Sequence, residues 1–177
     1  KPVPIVAGAR LFGKVGHNNI GFLSAQTGAV DSVPTTNNTV LRYNYDVGAQ
    51  SHVGGIITSK VNSNVSSQIA GMDGGYITAK FLGNKVLEVN ATVAQSIMNG
   101  QASKDGLAYR VYADYPNDLM DHFIAISSIQ KNFEPSLGFL QRGNYDAFNW
   151  HLYITPRWLN KYGVRKMIFS PGDLAVF

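Results

Sequence analysis

Polar and apolar residues alternate one by one along much of this chain. In Thr39–Lys60, TVLRYNYDVGAQSHVGGIITSK, Leu41, Tyr43, Tyr45 and Val47 hold one set of alternate positions and Arg42, Asn44 and Asp46 the other. Successive side chains of a strand point to opposite faces, so this pattern predicts a strand with one oily and one wet side. A turn around residues 49–52 and a second β-rich run, Val53–Lys60, complete a predicted hairpin. The same beat runs through Val86–Met98, where Leu87, Val89, Ala91, Val93 and Ile97 alternate with Glu88, Asn90, Thr92 and Ser96. It returns in Ala147–Thr155, with Phe148, Trp150, Leu152 and Ile154 on one side. Further strands are predicted over Ile5–Val15, Ile20–Gln26, Ala70–Phe81, Leu107–Tyr115 and Phe123–Gln130, and a helical period is nowhere sustained. Two places do not resolve: Ile56 and Ile57 are adjacent, and Gly71, Gly74 and Gly75 leave the facing of their strand open. Glycines inside strands ordinarily mark bends or bulges, which is the reading adopted for these three.

Alternation fits two architectures of opposite sense. A soluble sandwich buries its apolar stripe, whereas a membrane barrel turns it to lipid and lines a wet lumen with the polar one. The connections favour the barrel. Short ones are predicted near residues 16, 50, 84 and 118 and long ones near 33, 65, 102 and 138, and outer-membrane barrels pair short periplasmic turns with longer outer loops. On that pattern residue 1 sits at the outer rim. Complete barrels ordinarily begin in the periplasm, so the expectation is that residues 1–177 are one segment of a larger barrel, cut at both ends. Reading back from Phe177 puts Ala175 and Asp173 on one face and Leu174 and Val176 on the other, which does not match a barrel's terminal insertion signal. The expected fold is therefore all-β, an antiparallel up-and-down transmembrane β-barrel of which about nine or ten strands are visible.

Composition changes the picture only a little. The 177 residues are 45% hydrophobic but only 15% charged, below the roughly 25% of an ordinary soluble domain. That combination suits a wall with one polar and one apolar face. No window reaches the roughly 18 uninterrupted apolar residues of a membrane helix, a test that strand-built membrane proteins also fail to trigger. The absence of cysteine removes disulfides and thiolate metal sites. The net charge of +4 is spread without a basic run and gives no reason to expect nucleic acid as a partner.

Several blocks carry a resemblance. PIVAGARLFGKVGHNNIGFLSAQTG, TVLRYNYDVGAQSHVGGIITSK, FEPSLGFLQR from Phe133 to Arg142, YITPRW and FSPG resemble, in colinear order, a bacterial outer-membrane β-barrel domain of unknown function. That domain typically follows a sugar-binding module similar to carbohydrate-binding family 9. The resemblance implies the outer membrane of a Gram-negative bacterium, outer-membrane lipid as a partner, and oligosaccharide or other outer-membrane proteins as further ones. It supplies no catalytic residue and no cofactor. Phe133, Pro135, Gly138, Phe139 and Arg142 match its motif and are read as structural, a loop return with an aromatic anchor and a charge tying it down.

The search for chemistry returns little. His17, His52, His122 and His151 lack metal-ligand spacing, and no nucleophile elbow, phosphate loop or dinucleotide fingerprint occurs. Ser127 or Ser128 with His151 and Asp114 would make an outer-membrane hydrolase triad, against the more ordinary reading of lumen-facing strand serines. Arg10, Arg42, Asn44, Asp46, Glu88, Asn90 and Arg110 are assigned to the lumen, because an arginine facing the lipid midplane costs about 2–4 kcal/mol. Leu41, Tyr43, Tyr45, Leu87, Val89, Val93 and Trp150 are assigned to lipid or to the interfacial aromatic girdles, with Tyr109, Tyr115 and Trp158 as further girdle candidates. The function expected is a pore, surface-binding platform or scaffold of the outer membrane, with glycan binding or uptake as one form. The alternatives are a soluble all-β binding domain, a sandwich or lipocalin-like barrel, and an outer-membrane hydrolase.

Overall fold

Ten strands follow one another in chain order in a computed structural model that describes residues 2–156, 163 and 167–177. They are β1 (Ile5–Val15), β2 (Asn18–Thr27), β3 (Thr36–Val47), β4 (Ser51–Val61), β5 (Ser66–Phe81), β6 (Lys85–Met98), β7 (Gln101–Pro116), β8 (Met120–Ile129), β9 (Tyr145–Ile154) and β10 (Phe169–Val176). Each pairs antiparallel with its chain neighbours, giving one up-and-down sheet in the order β1 to β10. The sheet is open, with β1 and β10 as its edges among the described residues. The described residues contain no helix. The all-β, up-and-down reading therefore stands, while closure into a barrel is not seen.

Register converts alternation into two faces. Directly opposed residues share a face, and from Arg42 the row runs through Ile56, Gly71, Ala94 and Ala108 to Ile129. Two residues on, Asn44 leads through Gly54, Asp73, Thr92 and Arg110 to Ser127. The other face carries Leu41, Ile57 and Ala70 in one row and Tyr43, Gly55, Met72, Val93 and Tyr109 in the next. The adjacent pair Ile56 and Ile57 is thus divided between the faces.

Three expectations need correction. The glycines of β5 do not mark bulges, because pairing with β4 and β6 runs unbroken through residues 71–75. The long loop expected near residue 102 is a two-residue turn, Asn99–Gly100, with β7 beginning at Gln101. Both turn residues have positive φ, 52° and 79°, as a type I′ hairpin turn requires. The polarity of residues 101–105 masked a strand whose extra residues, 103–106, bulge between the pairs Gln95–Leu107 and Ile97–Ala102. The predicted alternation of short and long connections consequently fails there.

Candidate functional site: the polar face of the sheet

On the polar face, side chains from β1 to β7 form a network of neighbouring polar clusters. Arg42 makes a bidentate contact with Asp73 on β5, its Nη2 donating to Asp73 Oδ2 at 2.8 Å and to Asn44 Oδ1 at 3.3 Å. This fork reaches across β4, and a Cβ at Gly54 would come within 2.9 Å of Arg42 Nη2 and 2.8 Å of the Tyr43 carbonyl. Gly54 is what lets the guanidinium lie flat over the sheet. Gly75 does the same for its neighbours, since a Cβ there would meet Asn90 Oδ1 at 2.6 Å and the His52 ring at 2.7 Å. His52 Nε2 lies 3.3 Å from Asp73 Oδ2. Nearer the short turns, Lys14 Nζ donates to Asp46 Oδ2 at 2.7 Å and Asn19 to Asp46 Oδ1 at 3.0 Å. On the other side of β5, the Tyr112 hydroxyl donates to Glu88 Oε1 at 2.5 Å, and Asn90 Nδ2 donates to Glu88 Oε1 and to the Tyr112 oxygen, each at 2.8 Å.

Residues 130–144, between β8 and β9, fold over this same face. Glu134 N–H donates to Ser96 Oγ at 2.9 Å, and the Ser136 hydroxyl meets that of Ser67. Ser67 and Ser96 are the two most buried side chains of the described residues, at 2% and 1% exposure. Within the loop, Gly138 N–H closes a turn on the Pro135 carbonyl at 2.9 Å. Serine hydroxyls therefore tie the loop down, while Arg142 lies over the Tyr145 ring at 5.7 Å. The Phe139 ring is 86% exposed and Phe133 is half-buried.

The residues singled out from sequence fall as follows. Arg10, Arg42, Asn44, Asp46, Glu88, Asn90 and Arg110 share the polar face. Arg42, Asn44, Asp46, Glu88 and Asn90 belong to the network, whereas Arg10 and Arg110 lie over the rings of Phe12 and Tyr112 at 5.0 and 5.3 Å. Leu41, Tyr43, Tyr45, Leu87, Val89, Val93 and Trp150 share the opposite face. There Tyr43 donates to Asn18 Oδ1 at 2.6 Å and Trp150 Nε1 to His122 Nε2 at 2.8 Å. Trp158 lies outside the described residues. The hydrolase constellation does not assemble. Ser128 stands on the apolar face, and Ser127 lies roughly 13 Å along β8 from Phe123, on which His151 stacks at 5.3 Å. No group of three potential metal ligands occurs among the described residues.

Sequence reasoning missed Asp73, His52, Lys14, Asn19 and Tyr112 as members of the network, and Ser67 and Ser96 as the loop's anchors. No local signal marks them, because each acquires its partner only through the register of strands that are distant in sequence. Compared with known protein families, curated proteins and solved structures, the chain matches none.

Proposed function

We propose that this chain is a stretch of wall of an outer-membrane β-barrel, its apolar face against lipid and its polar face lining a wet interior that the 130–144 loop narrows. The observation that carries this reading is the sense of exposure along β3. Leu41, Tyr43, Tyr45 and Val47 are exposed, at 39–50%, while the intervening Arg42, Asn44 and Asp46 are half-buried beneath their own network. Exposed aliphatics continue on the same face at Ile57, Met72, Val111 and Ile126. So extended an apolar surface ordinarily marks a membrane or protein contact. A soluble sandwich favours the reverse arrangement, and a hydrolase needs a nucleophile beside its base.

On this reading the network stiffens the wall and the folded-in loop limits what passes or binds, so the protein acts as a pore or capture surface of a Gram-negative outer membrane. Strands pairing with the free edges of β1 and β10 would complete the barrel. The sequence resemblance adds glycan binding or uptake as one form of the role and other outer-membrane proteins as partners.

The absence of native cysteine allows a clean test by single-cysteine variants in lipid vesicles. Cysteines at Ile57, Met72 and Ile126 should be quenched by lipid-borne spin labels and ignored by a charged maleimide. Cysteines at Asn44, Thr92 and Ser127 should show the opposite behaviour. The reverse pattern, or a chain that folds and stays in water without amphiphile, overturns the proposal.

A further inference from the structure

The network reaches β7 at Tyr112, and the region beneath the loop is built differently. A cavity of about 820 Å³ lies there, within the range of small-molecule sites. Its sheet side includes Ala94, Ala108 and Arg110, and its loop side Phe133, Phe139 and Arg142. Two guanidinium groups thus border one space, and among the described residues neither has a carboxylate within ion-pair distance. Asp105 nearby is held by Lys131 at 3.1 Å, and farther along the sheet Asp73 is held by Arg42 and Asp46 by Lys14. Arg110 and Arg142 lie over the faces of Tyr112 and Tyr145, and among the described residues no hydrogen bond occupies their N–H edges. A planar guanidinium held by a ring is prepared for bidentate contact with a carboxylate.

We propose that this cavity binds a carboxylate carried on an aromatic ring. The arginines supply the charge complement, and the apolar surroundings select the body that carries it. Ala94 and Ala108, directly opposed on neighbouring strands, make a low apolar floor, with Phe133 and the exposed Phe139 above it. Thr92, Ser127, Gln141 and Asn149 also border the cavity, but hydroxyls of a sugar ring laid on the alanine floor itself would face methyl groups, at a cost in desolvation that an aryl ring does not incur. The inference deepens the proposed function by naming a solute class. It rests on that reading only through the folded-in loop, since the cavity needs no lipid.

The test is calorimetric titration of the detergent-solubilised chain with benzoate, benzamide, glucuronate and inorganic phosphate. Benzoate should bind saturably, at least tenfold more tightly than its neutral isostere benzamide and than either other anion. Arg110→Gln and Arg142→Gln should each weaken it about tenfold or more, the loss of a charged hydrogen-bonded contact. Phe139→Ala, at a position too exposed to affect folding, should weaken it several-fold. Arg10→Gln, on the same face but outside the cavity, should leave it unchanged. Circular dichroism verifies the fold of each variant, and Phe139→Ala keeps the proposal open to refutation if an arginine variant does not fold. No saturable benzoate binding, equal binding of benzamide, stronger binding of glucuronate or phosphate, or indifference to Phe139→Ala overturns it. A failure here leaves the cysteine pattern untouched, whereas a reversed cysteine pattern with benzoate bound removes the membrane and keeps the site.

Discussion

Ile57→Arg separates a lipid-facing wall from a water-facing one by the size of its effect. Ile57 lies in the middle of β4, 52% exposed, opposed by Leu41 on β3 and Ala70 on β5. In water, a residue already half exposed surrenders little burial on becoming arginine, and the charge is solvated. The expected cost is within about 0.5–1 kcal/mol, the range of ordinary surface substitutions. In lipid the same guanidinium enters hydrocarbon near the middle of a strand, where the cost is about 2–4 kcal/mol, a roughly 30- to 800-fold change in the folding equilibrium. The next residue supplies the control. Thr58 points to the polar face between Val40 and Ile69, and Thr58→Arg should cost below about 1 kcal/mol with its charge in the wet interior. Both are read by guanidinium unfolding from lipid vesicles, followed by tryptophan fluorescence. Wild-type stability for Ile57→Arg, or a larger loss for Thr58→Arg, refutes the orientation of the faces.

Two further predictions concern the network. Gly54→Ala should destabilise by about 1–3 kcal/mol, since its methyl meets the Tyr43 carbonyl at 2.8 Å and Arg42 Nη2 at 2.9 Å, whereas Gly13→Ala, with nothing within 4 Å, should be neutral or gain up to about 1 kcal/mol. Equal effects at the two glycines in the same unfolding assay would remove the packing argument. A double-mutant cycle of Arg42→Gln and Asp73→Asn should return a coupling of about 1–2 kcal/mol, between the values for exposed and buried pairs because the side chains are 35% and 19% exposed. A coupling below about 0.3 kcal/mol would mean the fork contributes nothing to the wall.

The faces were legible because a period of two survives any change of partner. Leu41, Tyr43 and Tyr45 share a face whichever strand lies beside them. The strand ends were less so, and for a particular reason at Asn99–Gly100. That dipeptide is the strongest short hairpin signal a sequence carries, but the mostly polar residues 101–105 that follow it resemble a continuing loop. β10 was similarly obscured by Pro171 and Gly172; it is an edge strand, where a missing N–H is tolerated. The network was illegible in principle. Arg42 and Asp73 stand two strands apart, and their meeting depends on the register of β3, β4 and β5 together and on the bare backbone of Gly54 between them.

The division of the polar face into two halves has a consequence for where binding can occur. Within the network the charges are already answered: Lys14 by Asp46, Arg42 by Asp73, Glu88 by Asn90 and Tyr112. A solute binding there must displace a partner and leave a half-exposed group unpaired, which costs about as much as the new contact returns. Beneath the loop the balance differs. Arg110 and Arg142 are exposed, so water solvates them at little cost to the fold, and a carboxylate that replaces that water breaks no existing pair. Stability and recognition are therefore carried by different arginines of one face: removing Arg42 weakens the wall, whereas removing Arg110 or Arg142 leaves the wall standing and empties the cavity. The loop joins the two halves, since it is moored on β5 and β6 through Ser67 and Ser96 while its phenylalanines reach over β7 and β8. A rigid network at the mooring is what allows a chain segment without secondary structure to hold Phe133 and Phe139 at a fixed height above the alanine floor.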